Sequence, residues 1–237
     1  MPCAATCGGQ PDGGKAKAMF DDLREAWIYI REDQEDFLEL LTEHVQLTAL
    51  SVVIGVLIAV PLAVLASRIE FLAKPMTWIA AVGQTVPSLA ILGLTLPFLG
   101  IGFRPSLFAL TIRAILPIFL NAYVGLRSAD RAVVDAARGM GTSNVQLLLM
   151  VELPLATPVL YAGIQTATVQ NIGLATLAAF IGGGGLGDLI LQGLAMVDTP
   201  TLLAGAIPVA ALAVATEVIM NRLRRLVVPV GLQIDAR

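Results

Sequence analysis

"VQLTALSVVIGVLIAVPLAVLAS", residues 45–67, carries no charged side chain and is long enough to cross a bilayer, since about 20 helical residues span a hydrocarbon core roughly 30 Å thick. It shows no strict alternation of apolar and polar positions, and it far exceeds the roughly 10 residues of a membrane β-strand. The stretch therefore reads as a transmembrane α-helix. Four further runs reach spanning length: 76–99, 106–126, 155–181 and 201–220. With 57% hydrophobic and only 14% charged residues and a mean hydropathy of +0.81, the composition lies outside the range of soluble domains. The expected fold is an all-α membrane protein of about five spans. Pro61, Pro87, Pro97, Pro117, Pro158 and Pro208 fall within or near the spans, where neighbouring helices can re-satisfy the carbonyls that proline frees.

Lysine and arginine in the connections set the orientation. Arg68 and Lys74 follow the first span, Arg127, Arg131 and Arg138 follow the third, and Arg222, Arg224, Arg225 and Arg237 follow the last. These connections belong in the cytoplasm. The loop after the second span has only Arg104, and 182–200 has Asp188 and Asp198 without a basic residue. Both belong outside, and so does the amino terminus.

Ahead of the first span, residues 1–18 are rich in Gly and Pro and are expected to lack structure; Met19 offers an alternative start. From Phe20, the positions Leu23, Trp27, Ile30, Phe37, Leu38 and Leu41 recur at helical spacing among acids. Residues 19–44 read either as an amphipathic helix lying in the interface or as an acidic, solvated lead-in. No cleavable signal pattern precedes the first span, which then serves as its own targeting signal. Cys3 and Cys7 stand alone, without a His or further Cys nearby, so neither a metal nor a structural disulfide is expected. Residues 227–237 form a cytoplasmic tail.

One cytoplasmic stretch is too polar to insert yet still helical in pattern: "DAARGMGTSNVQLLLMVELP", residues 135–154. A helix over about 129–150 would present the small residues Asp135, Ala136, Ala137 and Gly141, suited to lying in a groove on another protein. Pro154 would then open the next span, where its missing N–H costs little.

The spacing of this stretch resembles the cytoplasmic coupling motif of the membrane subunits of bacterial ATP-binding cassette (ABC) importers: E-A-A, three residues, Gly, nine residues, Ile, one residue, Leu-Pro. Asp135-Ala136-Ala137, Gly141, Val151 and Leu153-Pro154 match every spacing, with Asp for Glu and Val for Ile. "QTVPSLAILGL" (84–94), "LPIFLNAYVGL" (116–126), "AARGMG" (136–141) and "ATLAAFIGGGGLGDLILQGL" (175–194) are similar to permease subunits of osmoprotectant importers, those for glycine betaine, carnitine, choline and proline betaine. The likeness runs from about 44 to 225. Relatives commonly carry Arg immediately before the Asn that is Asn121 here, whereas this chain has Leu120.

That resemblance implies the type I importer fold in the bacterial cytoplasmic (inner) membrane. It implies two copies of the permease, or a copy with a sister permease, each seated by its coupling helix on a cytoplasmic ABC ATPase subunit. ATP and magnesium would belong to the ATPase, with no cofactor in this chain. A separate extracytoplasmic binding protein would deliver the solute, because the chain ends at Arg237 without a fused binding domain. Docking of the loaded binding protein would favour the outward-facing state.

Gly182, Gly183, Gly184, Gly185 and Gly187 complete a G-x-G-x-x-G, but behind a span and outside the cell, where no nucleotide reaches it. The run is expected to break the chain and let 186–197, with Asp188, fold back as a short helix at the outer mouth, a candidate gate. Arg113 lies inside the third span, where an unpaired charge costs several kcal/mol; it either meets substrate or snorkels outward, and Glu217 lies too deep to pair with it. Gln84, Ser88, Asn121, Gln165, Gln170 and Asn171 either line a pathway with Arg113 or simply bond neighbouring helices. Quaternary ammonium recognition favours an aromatic cage, yet only 5% of residues are aromatic, which assigns selection to the binding protein. An intramembrane enzyme would need a nucleophile with its base, or metal ligands; the single histidine, His44, has neither beside it. No metal site, catalytic group or nucleic-acid surface is expected. An importer of the same design for an amino acid or a thiol-containing betaine is the nearer alternative.

Overall fold

The computed structural model describes residues 12–228. Cys3 and Cys7 lie outside them, as do residues 229–237 of the expected tail. Ten α-helices follow in chain order among the described residues, and no strand occurs there: α1 (Asp12–Glu32), α2 (Gln34–Arg68), α3 (Glu70–Gly83), α4 (Ser88–Leu99), α5 (Phe103–Arg127), α6 (Arg131–Gly139), α7 (Asn144–Leu147), α8 (Leu153–Ala175), α9 (Gly187–Met196) and α10 (Thr199–Val227). A π-helical turn, Leu148–Glu152, joins α7 to α8, and a 3₁₀ segment, Thr176–Ile181, continues α8 outward.

Helices α2, α5 and α8 form the centre. Ala59, Ala63 and Ala66 of α2 meet Ala114, Ile118 and Ala122 of α5, with Ala156 and Ala167 of α8 closing the cluster. Lipid offers helices no hydrophobic drive to associate, so contact depends on close approach of backbones, and small side chains allow it. The margin is narrow: a Cβ on Gly55 would lie 2.9 Å from that of Ala114, and one on Gly163 2.5 Å from that of Asn121. Arg68 at the end of α2 contacts Glu152, while Gly102 N–H, before α5, donates to Ile181 O at 2.7 Å. Connections expected on one side of the bilayer therefore meet at one end of the bundle, and those expected on the other side meet at the opposite end.

Three expectations about the elements need correction. The second span is not one straight helix: α3 and α4 meet at 101°. Pro87 is the cause, because it lacks an N–H and bars helical backbone at the residue before it; its own ψ of 132° starts α4 afresh. Among the described residues four helices are long and apolar enough to span, and the bent pair makes a fifth if counted together.

Second, the cytoplasmic helix expected over 129–150 is divided. α6 stops at Gly139, Gly141 takes φ +84°, and Ser143 opens α7 with a capping box in which its hydroxyl accepts from Gln146 N–H while the Gln146 side chain accepts from Ser143 N–H. From Asn144 the chain stays helical to Ile181.

Third, the lead-in is two pieces: α1 starts at Asp12, within the stretch expected to lack structure, and a break at Asp33 separates it from α2, which runs unbroken from Gln34 into the first span. Ala26 of α1 is buried, whereas Phe20 and Trp27 are exposed, and the Arg31 guanidinium lies 5.4 Å from the Trp27 ring centroid.

Candidate functional site

The end of the bundle expected in the cytoplasm is built on α6. Asp130 caps it by accepting from Ala132 N–H at 2.8 Å, filling one of the orphan donors of a helix start. At the other end Gly141 N–H donates to Arg138 O and the Thr142 hydroxyl to Ala137 O. Glycine is needed there, since φ +84° would strain any side chain. Of the motif residues, Asp135, Ala136 and Gly141 are exposed, Ala137 is buried, and Val151, Leu153 and Pro154 are half-buried where the π turn enters α8. Around them Met140, Val145, Leu149 and Met150 are 58–79% exposed. Together they make an exposed apolar surface beside the motif residues, running from the loop into the helix Asn144–Ile181.

Two residues in this region escaped the sequence reading of sites. Arg68 donates through Nη1 to Glu152 Oε1 at 3.1 Å and through Nη2 to Oε2. Glu152 is buried, and the pair borders a cavity of about 420 Å³ lined also by Arg127, Arg131, Asp135 and Arg138. The only sequence signal was a lone Glu between Val151 and Leu153.

Within the bundle, the candidate pathway residues separate. Arg113 of α5 donates to Gln84 O at 3.3 Å, the carbonyl at the end of α3, so the cation meets the negative end of a helix dipole at the elbow. Its Nε is buried without a partner. Glu217 is bonded elsewhere, accepting from Gln165 Nε2 at 2.8 Å and from Asn221 Nδ2. Asn171 is buried, with its amide donating to Ser51 Oγ at 2.9 Å and Leu110 O at 3.0 Å; it ties α8 to α2 and α5. Asn121 donates to Pro117 O one turn back. Ser88 is half-buried at the start of α4, and the side chains of Gln84 and Gln170 are exposed. Beside the elbow lies an apolar cavity of about 600 Å³ between α3, α4 and α5, with Phe98 and Phe108 among its walls.

At the outer end, Gly182, Gly184 and Gly185 take φ between +69° and +85°, which reverses the chain after Ile181. The reversal leads into α9, which packs back on α10: a Cβ on Gly193 would lie 2.3 Å from Leu202 N. Gly183 and Gly187 are equally enclosed; added Cβ atoms would lie 2.2 Å from Ser106 Oγ and 2.3 Å from Thr176 O. Glu43 of α2 accepts from Gly185 N–H at 3.0 Å. Burial, and then the neighbouring Glu43 carboxylate, push the Asp188 carboxyl above its ordinary range. His44, also buried, lies 3.0 Å through Nε2 from Ile172 O. Among the described residues no group of three or more His, Cys, Asp and Glu could hold a metal.

A helical bundle with four helices long and apolar enough to span, and helix ends joined at two opposite ends, is the fold of a membrane-spanning protein. Residues 51–229 match the family described as the binding-protein-dependent transport system inner membrane component, and the chain belongs to that family. It is 41% identical over 191 residues to a choline transport system permease protein of Bacillus subtilis (strain 168), covering 81% of this chain and 88% of the relative. It is 36% identical over 211 residues to a glycine betaine/carnitine/choline transport system permease protein of the same organism, covering 89% and 97%. An osmoprotectant import permease protein of Salmonella typhimurium is 38% identical over 212 residues, covering 87% and 99%. Among solved structures, the inward-facing MetNI methionine ABC transporter shares the fold with a TM-score of 0.76 at 20% identity, covering 83% of this chain and 98% of that one.

Proposed function

We propose that this permease is the membrane subunit of an ATP-driven importer for a compatible solute, glycine betaine or a related quaternary ammonium compound, delivered by a separate extracytoplasmic binding protein. The observation that carries the reading is the similarity along most of the chain to permeases named for choline, glycine betaine, carnitine and osmoprotectant transport.

In this reading the cytoplasmic loop is the coupling element. Asp135, Ala136 and Gly141 face outward with Met140, Val145, Leu149 and Met150, so a cytoplasmic ATPase would seat on that surface. Ala137, Val151, Leu153 and Pro154 would fasten the surface to the bundle. ATP and magnesium would act in the ATPase, which would perform the hydrolysis. A second copy, or a sister permease, would complete the pathway along the face carrying the α3–α4 elbow. Arg113, Gln84 and Ser88 sit at that elbow, while Asn121, Gln165 and Gln170 lie further along α5 and α8; Asn171 has a structural role. The glycine run and Asp188 would form the outer gate. Alternation then follows from binding preferences: ATP and the loaded binding protein must each favour the outward-facing state, because a ligand shifts an equilibrium only by its differential affinity.

The test is uptake by proteoliposomes holding the permease with its ATPase and binding protein. ATP-dependent accumulation of radiolabelled glycine betaine, carnitine or choline is expected. Accumulation of an amino acid but of none of these three would replace the substrate reading and leave the importer intact.

A further inference from the structure

We propose that the Arg68–Glu152 ion pair is the link that carries movement of the cytoplasmic loop into the first span. This positioning role rests on the importer reading above. Arg68 is the last residue of α2, and Glu152 is the last residue of the π turn that enters α8. They are 84 positions apart in sequence and joined by two hydrogen bonds. A planar guanidinium meeting a carboxylate with both nitrogens fixes angle as well as distance, which a single contact does not. The Glu152 side chain is only 10% exposed and that of Arg68 34%, so screening by salt is weaker than at the surface. The neighbouring Arg138–Asp135 pair is the contrast: 4.0 Å apart and 57% and 74% exposed, it belongs to the class of surface pairs that contribute little.

Position gives the pair its purpose. Helices α2, α5 and α8 share one tightly packed core, so moving the end of α2 moves the bundle. Between the exposed loop and α8 stands the π turn, a wider and less regular piece of helix of the kind frequently found at functional sites. Left alone, that turn would flex and absorb a push on the loop. With Glu152 clamped to Arg68, a displacement of Leu148–Glu152 has to take the end of α2 with it. The link thus bypasses the irregular turn on the path between loop and core.

The test uses the complete complex in proteoliposomes with glycine betaine as probe. Arg68→Lys keeps the charge and loses the fork; the double variant Arg68→Gln with Glu152→Gln removes the link without leaving a lone buried charge. Both variants are expected to assemble and to raise ATP hydrolysis when the loaded binding protein is added. Solute imported per ATP should fall at least about fivefold, the lower range of coupling between sites. Import and hydrolysis falling in proportion would mean a merely structural pair and overturn the proposal; so would both remaining at wild-type values. Absence of ATP-driven import by the wild-type complex is a different failure, visible without any variant, and would sink the importer reading itself.

Discussion

α2 is held to an interrupted part of the chain through a carboxylate at two places, at its last residue Arg68 and at Glu43 within its first half, and the two interruptions are built in opposite ways. At the inner end, Glu152 meets Arg68, and Met140, Val145, Leu149 and Met150 around it are exposed. At the outer end, Glu43 accepts from the backbone of Gly185, and Gly183, Gly185, Leu186, Gly187 and Leu189 are buried. Both regions need glycine at positive φ, yet nothing lies within 4 Å of a Cβ added to Gly141, whereas one added to Gly187 would lie 2.3 Å from a carbonyl oxygen. The inner region is therefore left open, as the proposed seating of an ATPase requires, and the outer one is filled by the chain itself. Substitutions should separate accordingly: outer ones break folding and inner ones break transport.

The largest effect is expected at Gly187. In Gly187→Val the side chain would drive into the Thr176 carbonyl, and overpacking of this kind costs about 3 kcal/mol or more. Size-exclusion profiles and thermal melting in detergent should show loss of the monodisperse protein. A normal profile would mean that the outer turn is looser than its geometry, and the contrast between the ends would collapse.

Next comes Asn171→Ala, which leaves Ser51 Oγ and Leu110 O without their donor. Each such bond within a membrane bundle averages about 0.6 kcal/mol, so a melting temperature lower by a few degrees is expected, with uptake retained. Uptake lost at unchanged stability would return Asn171 to the pathway. Arg113→Ala should do the reverse: the elbow between α3 and α4 loses the cation that holds Gln84 O, and uptake falls several-fold while the bundle still elutes as a folded species. Unchanged uptake would leave Arg113 with a packing role alone.

The smallest effect belongs to Asp188 and carries a sign. Its carboxyl is raised above the ordinary 3.8 by burial and by Glu43, so the folded protein holds this proton more tightly than the unfolded chain. Stability therefore declines as pH rises from the ordinary value through the raised one, and the cost is complete above it. Asp188→Asn removes that cost. Its melting temperature should exceed wild type at neutral pH and converge with it below about pH 4; a constant difference across pH would refute the assignment.

Much of this was legible in the sequence, for reasons that differ by region. The spans were visible because hydrophobicity over 20 residues is a strong, local signal, and the chain reversal at the glycine run followed from glycine's freedom at positive φ. The α3–α4 elbow was not recovered, although Pro87 marks it, because averaged hydropathy records how apolar a segment is and not which way it points. The division of the cytoplasmic helix had two signals, Gly141 and the Ser143-x-x-Gln146 pattern of a capping box, and the apolar residues on either side concealed both. In the sequence Arg68 reads only as a positive charge that sets orientation. That it pairs with Glu152 depends on which helix ends the fold brings together, and no local pattern states it. The same holds for Asn171, whose partners Ser51 and Leu110 lie on two other helices.

Gentle purification of the tagged permease from native membranes, followed by identification of its companions, tests the docking surface most directly. Wild-type permease is expected to bring an ABC ATPase in stoichiometric amount. Asp135→Lys and Gly141→Trp should yield a folded bundle without it. No ATPase with the wild type, under conditions that keep other importers intact, would mean that the exposed apolar loop receives no such partner; ATPase retained by both variants would place the docking surface elsewhere on the chain.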